Sequence, residues 1–322
     1  MMEAPFYIGC LILIGAILLD LWIGDPRWLP HPVIQMGRLI TFLERKWNRG
    51  TNRRIKGVLL TGTVVLTVYV VTFFFVSIAY HIYYAVGIVM EICLISTTIA
   101  IKGLASAGKS VEKPLVNGDL VAARKSLSMI VGRDTEHLEE SEIVRGAVET
   151  VSENTVDGIT APLFWALIGG APLAMAYRAI NTLDSMVGYK NEQYIQFGWA
   201  SARLDDIVNW LPARLTALTM WFSSFFLRGS RHMEALKTTW RDARKHPSPN
   251  SGWSEAMVAG LMGVQLGGVN YYKGKISKRA TMGNSTRKLL ISDIDKAICY
   301  MHGGWLGFLG LLLIALYIGQ FM

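Results

Sequence analysis

The chain has 322 residues, of which 52% are hydrophobic and 17% charged, and its mean hydropathy is +0.33. This composition excludes a disordered chain and is more apolar than that of most soluble enzymes of this length. Cys10, Cys93 and Cys299 stand at unrelated spacings, which excludes a disulfide scaffold and a cysteine-based zinc site. The class of protein therefore follows from where the apolar residues are concentrated.

Four apolar segments are long enough to cross a bilayer as helices. About 20 apolar residues at ~1.5 Å per residue cross a hydrocarbon core of ~30 Å. The four segments are residues 7–24, 57–80, 82–101 and 303–322. No basic residue precedes the first of them and no small-residue cleavage motif follows it, so we interpret it as an anchor and not as a signal peptide. The sequence therefore predicts an all-α, polytopic membrane protein with a single integral-membrane domain over residues 1–322.

The distribution of charge predicts the orientation of the chain in the membrane. Residues 25–56 hold eight Lys and Arg against two acids, and residues 228–301 hold thirteen against five. Basic segments beside spans stay on the cytoplasmic side, where they meet anionic lipid. We therefore expect both termini outside and cytoplasmic segments at residues 25–56, 102–158, 178–209 and 228–301. The net charge of +8 does not indicate a nucleic-acid partner, because no aromatic–basic platform or recognition motif accompanies it.

Two further apolar segments, residues 159–177 and 210–227, contain helix breakers. The first is interrupted by Gly169-Gly170-Ala-Pro172 and the second by Pro212. Broken helices are tolerated at membrane depth where they line a cavity of the protein. Either both segments span or neither does, because the flanking segments must keep the same side. We predict that both enter the membrane without crossing it.

Residues 103–110 (GLASAGKS) match the phosphate-loop pattern G-x-x-x-x-G-K-S. That mechanism needs a loop of free amides between a buried strand and a helix. Here a membrane-length apolar helix precedes the match, and Leu104, Ala105 and Val111 continue a helical period. We therefore reject the phosphate-binding interpretation of this motif.

Carboxylates recur at helical spacing between residues 145 and 209. Three sets of polar residues each fall on one helix face. They are Arg145, Glu149, Glu153 and Asp157; Asn181, Asp184 and Ser185; and Asp205, Asp206 and Asn209. Such oxygen ligands suit Mg²⁺, which bridges substrate phosphates. A salt-bridged helix surface is the simpler interpretation of any single set, but three sets beside apolar segments favour one metal–phosphate site.

Two histidines lie in rigid, proline-containing loops. His31 stands between two prolines, and His246 opens the run His-Pro-Ser-Pro-Asn. A lone histidine in such a loop is more often a structural hydrogen-bond partner than a catalyst, so both are only candidate bases. Glu91 and Asp20 lie inside predicted spans, and we interpret them as hydrogen-bond partners between helices.

Several long motifs follow one another through the chain in a single register. They are Asp20-x4-Asp25-Pro26-x3-Pro30-His31-Pro32, Val131-Gly-Arg-Asp134-Thr135, Ala147-Val-Glu-Thr-Val-Ser-Glu-Asn-Thr-Val-Asp-Gly158, Ala161-Pro-Leu-Phe-Trp165, Asn181-Thr-Leu-Asp-Ser-Met-Val-Gly-Tyr-Lys-Asn-Glu192, Phe197-Gly-Trp-Ala-Ser-Ala-Arg203-Leu-Asp-Asp206, Asn209-Trp-x-Pro-Ala-Arg-Leu-Thr216 and His246-Pro-Ser-Pro-Asn250. Together these motifs resemble the CbiB/CobD family of cobalamin biosynthesis, the adenosylcobinamide-phosphate synthases. The departures are mild, such as Gly146 and Ser152 where Ala is common in the family.

The resemblance implies an ATP-dependent amide ligase of the cytoplasmic membrane. The family joins adenosylcobyric acid to (R)-1-aminopropan-2-ol phosphate, or to ethanolamine phosphate, and the chemistry favours an acyl phosphate intermediate. The implied cofactors are ATP and Mg²⁺, and the implied partners are the corrinoid, the amino-alcohol phosphate and membrane lipid. Association with other cobalamin-assembly enzymes is left open. Because ATP is cytoplasmic, we expect the site residues to face one cytoplasmic pocket.

The resemblance also implies roles for individual residues of this chain. The catalytic candidates are His31, His246, Asp184 and Lys190. The candidates for substrate or phosphate binding are Asp25, Arg133, Asp134, Asn154, Asn181, Arg203, Asn209, Arg214 and Asn250. The metal candidates are Glu149, Glu153, Asp157, Asp205 and Asp206. The general base stays open among His31, His246 and a carboxylate.

Two other functions compete with the ligase. The aspartate pairs around Asp184 and Asp205 are similar to the aspartate-rich motifs of membrane prenyltransferases, which also use Mg²⁺ on a phosphate. A prenyltransferase would consume isoprenyl diphosphate without ATP. A transporter would distribute polar groups through its spans and often carries internal repeats. In this chain the polar groups cluster beside interrupted segments, so the transporter ranks third.

Overall fold

Helices make up most of the part of the chain that the computed structural model describes, residues 6–24 and 31–319. The helices are α1 Phe6–Trp22, α2 Pro32–Trp47, α3 Arg53–Ile82, α4 Tyr84–Ser96, α5 Ile101–Val116, α6 Leu120–Ser128, α7 Glu140–Thr155, α8 Ala161–Val187, α9 Trp199–Val208, α10 Trp210–Ser224, α11 His232–Asp242, α12 Ser251–Met262 and α13 Ser292–Gly319. A π-helical turn, Val156–Thr160, joins α7 to α8, and a 3₁₀ turn, Ala243–Lys245, follows α11. Strands β1 Leu266–Tyr272 and β2 Lys275–Met282 form one antiparallel hairpin.

Four helical stretches are long and apolar enough to cross a membrane, which confirms the prediction of an all-α, polytopic membrane protein. They are Arg53–Ile82, Tyr84–Val116, Glu140–Val187 and Ser292–Gly319. Three of the predicted spans overlap with the first, second and fourth of these stretches. The remaining predicted span, residues 7–24, is the 17-residue helix α1, which is shorter than predicted and ends at Trp22.

The chain divides into two compact units. Unit 1 is made from Met1–Ala100, Asp157–Asn209 and Leu311–Met322, and unit 2 from Ile101–Val156 and Trp210–Gly310. In unit 1, helices α2, α3 and α8 pack together through a core that includes Ile40, Leu60 and Leu183. In unit 2, α12 packs against α10 and α11, and α5 packs against α6 and α7.

Helix α8 is broken at the position that the sequence predicts. Gly169 and Gly170 leave helical geometry, and Gly170 has a φ of +65° that favours glycine. The helix resumes at Ala171, whose N–H donates to Oε2 of Glu91 at 3.0 Å. Glu91 is buried on α4, and its Oε1 accepts a hydrogen bond from Tyr80 at 3.1 Å. Glu91 thus caps the second segment of α8, which confirms its predicted role as a partner between helices.

Replacement of Glu91 by alanine is expected to destabilise the protein by about 1–3 kcal/mol. The variant leaves the Ala171 N–H and the Tyr80 hydroxyl without their acceptor, and a buried donor that loses its partner costs about that much. Tyr80→Phe removes only one of the two bonds and serves as the milder comparison. Unfolding in mixed micelles measures both changes, and equal stability of Glu91→Ala and the native protein would contradict the capping role.

The second interrupted segment differs in detail from the prediction. Helix α9 ends at Val208, α10 begins at Trp210, and Pro212 lies in the first turn of α10. Proline is tolerated there because the amides of the first turn have no helical acceptor. The helix boundary lies at Asn209, three residues before the proline, and residues 210–224 form one continuous helix, so the predicted break near Pro212 is wrong. Residues 159–177 lie inside Glu140–Val187, one of the four stretches long and apolar enough to cross a membrane, so the structure does not support their predicted re-entrant course by length or composition. That residues 159–177 and 210–227 do not cross the membrane stays a prediction.

Unit 2 contains one element that the sequence analysis did not predict, the β1–β2 hairpin. Lys273 and Gly274 form its two-residue turn, and both have positive φ, 51° and 74°. Both oxygens of Asp134 accept hydrogen bonds from the amides of this turn, at 2.9 and 2.7 Å. The rejected phosphate-loop match, residues 103–110, lies inside α5, as the helical period predicts.

Candidate active site

Polar side chains of α8 and α9 gather in one cluster within unit 1. Asn209 follows α9, and its amide donates to Oδ2 of Asp205 at 3.1 Å. The same Asn209 accepts a hydrogen bond from the buried Tyr177 hydroxyl at 2.8 Å. Asp184 on α8 is close enough to Asp205 for their charges to repel. We call Asp157, Arg178, Asn181, Asp184, Asp205, Asp206 and Asn209 the aspartate cluster.

Asp157 reaches the aspartate cluster from the π-helical turn. The wider turn of a π-helix takes this residue off the four-residue stripe that Arg145, Glu149 and Glu153 follow on α7. Its Oδ2 lies 3.4 Å from the donating amide of Asn181, and its backbone carbonyl lies 3.4 Å from Nη1 of Arg178. π-Helical turns occur frequently at functional sites.

The surroundings of Asp205 in the aspartate cluster shift its pKa strongly. Burial, followed by the charge of Asp184, raises the pKa of Asp205 to about 7, against the lowering effect of the Asn209 hydrogen bond. Its Oδ1 is buried and accepts no hydrogen bond from the residues that the structure describes. A buried carboxylate oxygen without a donor, beside a second carboxylate, is an arrangement that a cation stabilises.

The aspartate cluster supplies some of the ligands that Mg²⁺ needs, but not a complete set. Asp184 and Asp205 supply two adjacent carboxylates, and Mg²⁺ in phosphate-transfer sites is held by one or two carboxylates plus substrate phosphates and waters. Across residues 6–24 and 31–319, no three His, Cys, Asp or Glu side chains are arranged to hold a metal by themselves. The donor set therefore fits an ion that shares its coordination with a substrate, and not a closed structural cage.

Cationic side chains border the aspartate cluster. Nη1 of Arg203 lies 3.6 Å from Asp206, and the Arg203 side chain is 65% exposed. Burial raises the pKa of Asp206, while the charges of Arg203 and Lys190 oppose that rise. Arg203 and Lys190 are thus available to an incoming phosphate, whereas Arg178 lies deeper and contacts Asn181 and Asp157.

Unit 2 contains a second polar cluster, built around α7 and the hairpin. Arg133 and Glu149 form a buried ion pair, and Arg133 also donates to Oδ1 of Asn270 at 2.5 Å. Glu149 accepts a hydrogen bond from the Gly267 amide at 2.7 Å. Gly267 and Gly268 have φ of +82° and +92° at an irregularity of β1, a conformation that favours glycine. This geometry brings the strand backbone against the ion pair.

Arg145 also forms hydrogen bonds with the backbone of β1. Its guanidinium donates to the carbonyls of Gly267 and Val269, at 2.6 and 3.0 Å. Since the donors of Arg133 and Arg145 bind Glu149 and β1, these two arginines stabilise the hairpin in this structure. A phosphate would have to compete with those bonds.

Glu153, His246 and Glu255 lie at the end of this second cluster. Glu153 accepts a hydrogen bond from Ser251 at 2.8 Å, and Nε2 of His246 lies 3.6 Å from Oε1 of Glu255. Burial, followed by the charges of Glu153 and Glu149, raises the pKa of Glu255 well above its usual value. Burial also lowers the pKa of His246, with Glu153 opposing. The pair therefore favours a neutral imidazole beside a protonated carboxyl group.

The comparisons with known proteins agree on one family. Residues 13–301 match the model of the CobD/Cbib protein family. The chain belongs to the CobD/CbiB family. It is 54% identical over 297 residues to the cobalamin biosynthesis protein CobD of Halalkalibacterium halodurans, covering 92% of this chain and 93% of the relative. The CobD of Geobacter metallireducens is 51% identical over 293 residues (91% and 92%), and the CbiB of Salmonella paratyphi B is 47% identical over 288 residues (88% and 90%). No solved structure matches the chain.

Substitution of Glu255 by glutamine in this CobD/CbiB protein is expected to flatten the pH dependence of its stability. The folded pKa of Glu255 lies above the unfolded value near 4.5, so its contribution to stability is complete below pH 4.5 and is lost as pH rises towards the folded pKa. Glutamine keeps the shape without this loss. Melting temperatures between pH 5 and 8 should therefore fall less steeply in Glu255→Gln. Glu136→Gln, at an exposed position, is the control, and parallel curves for all three proteins would contradict the buried neutral state.

Other predicted site residues of this CobD/CbiB protein have structural partners. Nδ1 of His31 accepts the Val33 amide at 3.3 Å and caps α2. The Asn154 amide donates to the Thr150 carbonyl at 2.9 Å. Asn250 precedes α12, and its backbone N–H donates to Ser248. Asp134 holds the hairpin turn as described above. Asp25 lies outside the described residues.

Arg214 is placed between two tryptophans of unit 2. Its guanidinium lies 4.2 Å from the ring centroid of Trp210 and 4.6 Å from that of Trp253. Cation–π contacts of this kind fix the orientation of a guanidinium that is partly exposed. The predicted roles of Arg214 and of the residues above in substrate binding, and the grouping of all carboxylates in one site, stay predictions.

The sequence analysis missed several residues of the two clusters. Arg178 stands three residues before Asn181, so the helical spacing that selected Asn181 and Asp184 could have selected it too. Asn270 and Arg279 lie on the hairpin, and no spacing in the sequence links them to α7. Arg279 donates to the Tyr272 hydroxyl at 2.9 Å, and its charge acts on Glu255.

Proposed function

We propose that this CobD/CbiB protein acts in cobalamin biosynthesis as an ATP-dependent amide ligase. It would join adenosylcobyric acid to (R)-1-aminopropan-2-ol phosphate or to ethanolamine phosphate. The names of the relatives support the pathway. The observation that carries the chemistry is the buried, donor-free oxygen of Asp205 beside Asp184, bordered by Arg203 and Lys190.

The proposed reaction explains why such a site is needed. A carboxylate does not react with an amine at neutral pH, because its oxygen is a poor leaving group. Transfer of the γ-phosphoryl group of ATP to the carboxylate releases ADP and gives an acyl phosphate. The amine then attacks the acyl carbon, the C–O bond to phosphate breaks, and the amide, inorganic phosphate and the amine proton are released.

Residues of the aspartate cluster have distinct tasks in this proposal. Asp184 and Asp205 would hold the cation, and the amide of Asn209, which donates to Oδ2 of Asp205, would orient that carboxylate. Mg²⁺, when bound, supplies positive charge to the phosphate oxygens during transfer. Arg203 and Lys190 lie at the exposed border of the cluster, where they would bind the phosphates of the nucleotide or of the amine.

Prenyl transfer would use the same aspartates, so the assay must separate the two reactions. Purified protein in liposomes is supplied with adenosylcobyric acid, Mg-ATP and each amine phosphate in turn. The ligase predicts ADP and a cobinamide phosphate in equal amounts, and neither product when the corrinoid or the amine is omitted. Consumption of isoprenyl diphosphate without ATP, or no corrinoid product above a boiled control, would overturn the proposal.

We propose in addition that the aspartate cluster faces the cytoplasm, where ATP is available. A cysteine at the exposed position Glu192, between α8 and α9, tests this in a background without the three native cysteines. The proposal predicts protection from a membrane-impermeant maleimide in intact cells and labelling after the membrane is opened. Labelling of intact cells would place this segment outside and contradict the prediction that residues 159–177 do not cross.

A further inference from the structure

A basic face of α2 lines a groove in unit 1. The groove has a volume of about 720 Å³, and four cationic side chains line it, Arg38, Arg45, Lys46 and Arg49. Arg38 and Arg45 are two helical turns apart and therefore lie on the same side of α2. All four side chains are exposed. None of them forms an ion pair with a carboxylate among residues 6–24 and 31–319.

Apolar side chains stand between these cations. Ile34 and Phe42 line the same groove and are 53% and 64% exposed. Phe42 lies one turn from both Arg38 and Arg45, so the aromatic ring and the guanidinium groups share one helix face. A ligand that fills this groove must therefore offer an anionic group to the arginines and an apolar part to Phe42 and Ile34.

Helix α2 lies in the chain between an apolar helix and a candidate membrane span. Nine residues separate α2 from the end of the apolar helix α1, and five residues separate the end of α2 from the 30-residue candidate span α3, which begins at Arg53. Compensation of the helix dipole accounts for cations in the last turn, Arg45 and Lys46, but not for Arg38, which lies in the middle of the helix. The helix dipole therefore does not explain the whole basic face.

We propose that this groove binds an anionic phospholipid of the membrane surface. The lipid phosphate would lie between Arg38 and Arg45, and Lys46 and Arg49 would contact the rest of the headgroup. The first acyl segments would pack on Phe42 and Ile34. Basic amphipathic helices bind anionic lipid in this way, with about 1 kcal/mol for each cation near the surface. The site is independent of the proposed ligase activity.

Native mass spectrometry of the purified protein tests the proposal. Protein is equilibrated with equimolar phosphatidylglycerol and phosphatidylcholine of the same chain length, and the bound lipids are counted. The native protein should retain phosphatidylglycerol preferentially. Arg38→Gln/Arg45→Gln should weaken that preference by roughly 30-fold, since two cations are removed. Arg38→Lys/Arg45→Lys, which keeps the charge, should retain most of it.

The control removes the same charge elsewhere. Lys275→Gln/Lys278→Gln changes two exposed lysines of β2 and should leave lipid retention unchanged. Equal retention of both lipids by the native protein, or an equal loss of preference in the hairpin control, would overturn the site. Glycerol 3-phosphate is the second probe: if it stabilises the native protein against heat as strongly as phosphatidylglycerol does, the groove is a soluble-phosphate site and the lipid assignment is wrong.

Discussion

Replacement of Asp205 by asparagine is expected to lower the rate of amide formation on the order of 10²-fold or more. Asparagine keeps the size of the side chain but removes the charge that would hold a cation against the phosphates, and loss of one such electrostatic group has an effect of this size. Asp184→Asn should have an effect of the same order, because the two carboxylates lie together. The measurement is product formation with saturating Mg-ATP.

The wild-type rate should also depend on pH through the same group. The pKa of about 7 is that of Asp205 without a bound cation, so kcat/KM for Mg-ATP, which reports the free enzyme, should rise between pH 6 and pH 8 as Asp205 becomes charged. Asp205→Asn should not show this rise. Glu136→Gln, an exposed position in unit 2, should keep both the rate and its pH profile. Near-native turnover in both aspartate variants would remove the aspartate cluster from the mechanism.

Replacement of Glu149 by leucine is expected to destabilise the protein by about 3–5 kcal/mol. The change leaves the buried Arg133 guanidinium without its counter-charge and the Gly267 amide without its acceptor, and a buried charge that loses its partner costs about this much. Equilibrium unfolding in mixed micelles measures the loss. The double variant Arg133→Met/Glu149→Leu removes both charges and should recover most of it.

An exposed ion pair provides the comparison for this prediction. Lys109 and Asp295 pair in the same unit with side chains 55% and 45% exposed, so Asp295→Asn, which leaves the pair of Lys109 with Glu112 in place, should cost less than about 1 kcal/mol. If Glu149→Leu costs no more than Asp295→Asn, burial does not increase the free-energy cost of removing the partner of Arg133. If the double variant is as unstable as Glu149→Leu, the loss is one of packing and not of an uncompensated charge.

The helices and their interruptions could be predicted because each depends on local chemistry. Apolar runs of membrane length are sufficient for α3, α4 and α13, and Gly169-Gly170 followed by Pro172 is sufficient for the break in α8. The hairpin was missed although Lys273-Gly274 is a two-residue turn signal, because the basic charge of this segment was interpreted only as evidence of orientation. The π-helical turn at Val156–Thr160 has no comparable local signal.

In the candidate site, too, contacts within one helix could be predicted from the sequence, whereas contacts between distant segments could not. Helical spacing predicted that Asn181 and Asp184 share a face, and the structure brings them to Asp205. Helical spacing could not predict that Glu255 is buried near Glu149 and Glu153, because that proximity arises from the packing of α12 against α7. Helical spacing also could not predict the hydrogen bonds of Arg133 and Asp134 to the hairpin, since their partners lie more than 130 residues away in the sequence.

The most direct test of the proposed ligase follows oxygen from the carboxylate to phosphate. Adenosylcobyric acid labelled with ¹⁸O in its reacting carboxylate is incubated with the protein, Mg-ATP and the amine phosphate, and the released phosphate is analysed by mass spectrometry. Activation through an acyl phosphate predicts one ¹⁸O atom in each inorganic phosphate for each amide formed, together with ADP. Unlabelled phosphate alongside amide product, or label in AMP, would contradict the account.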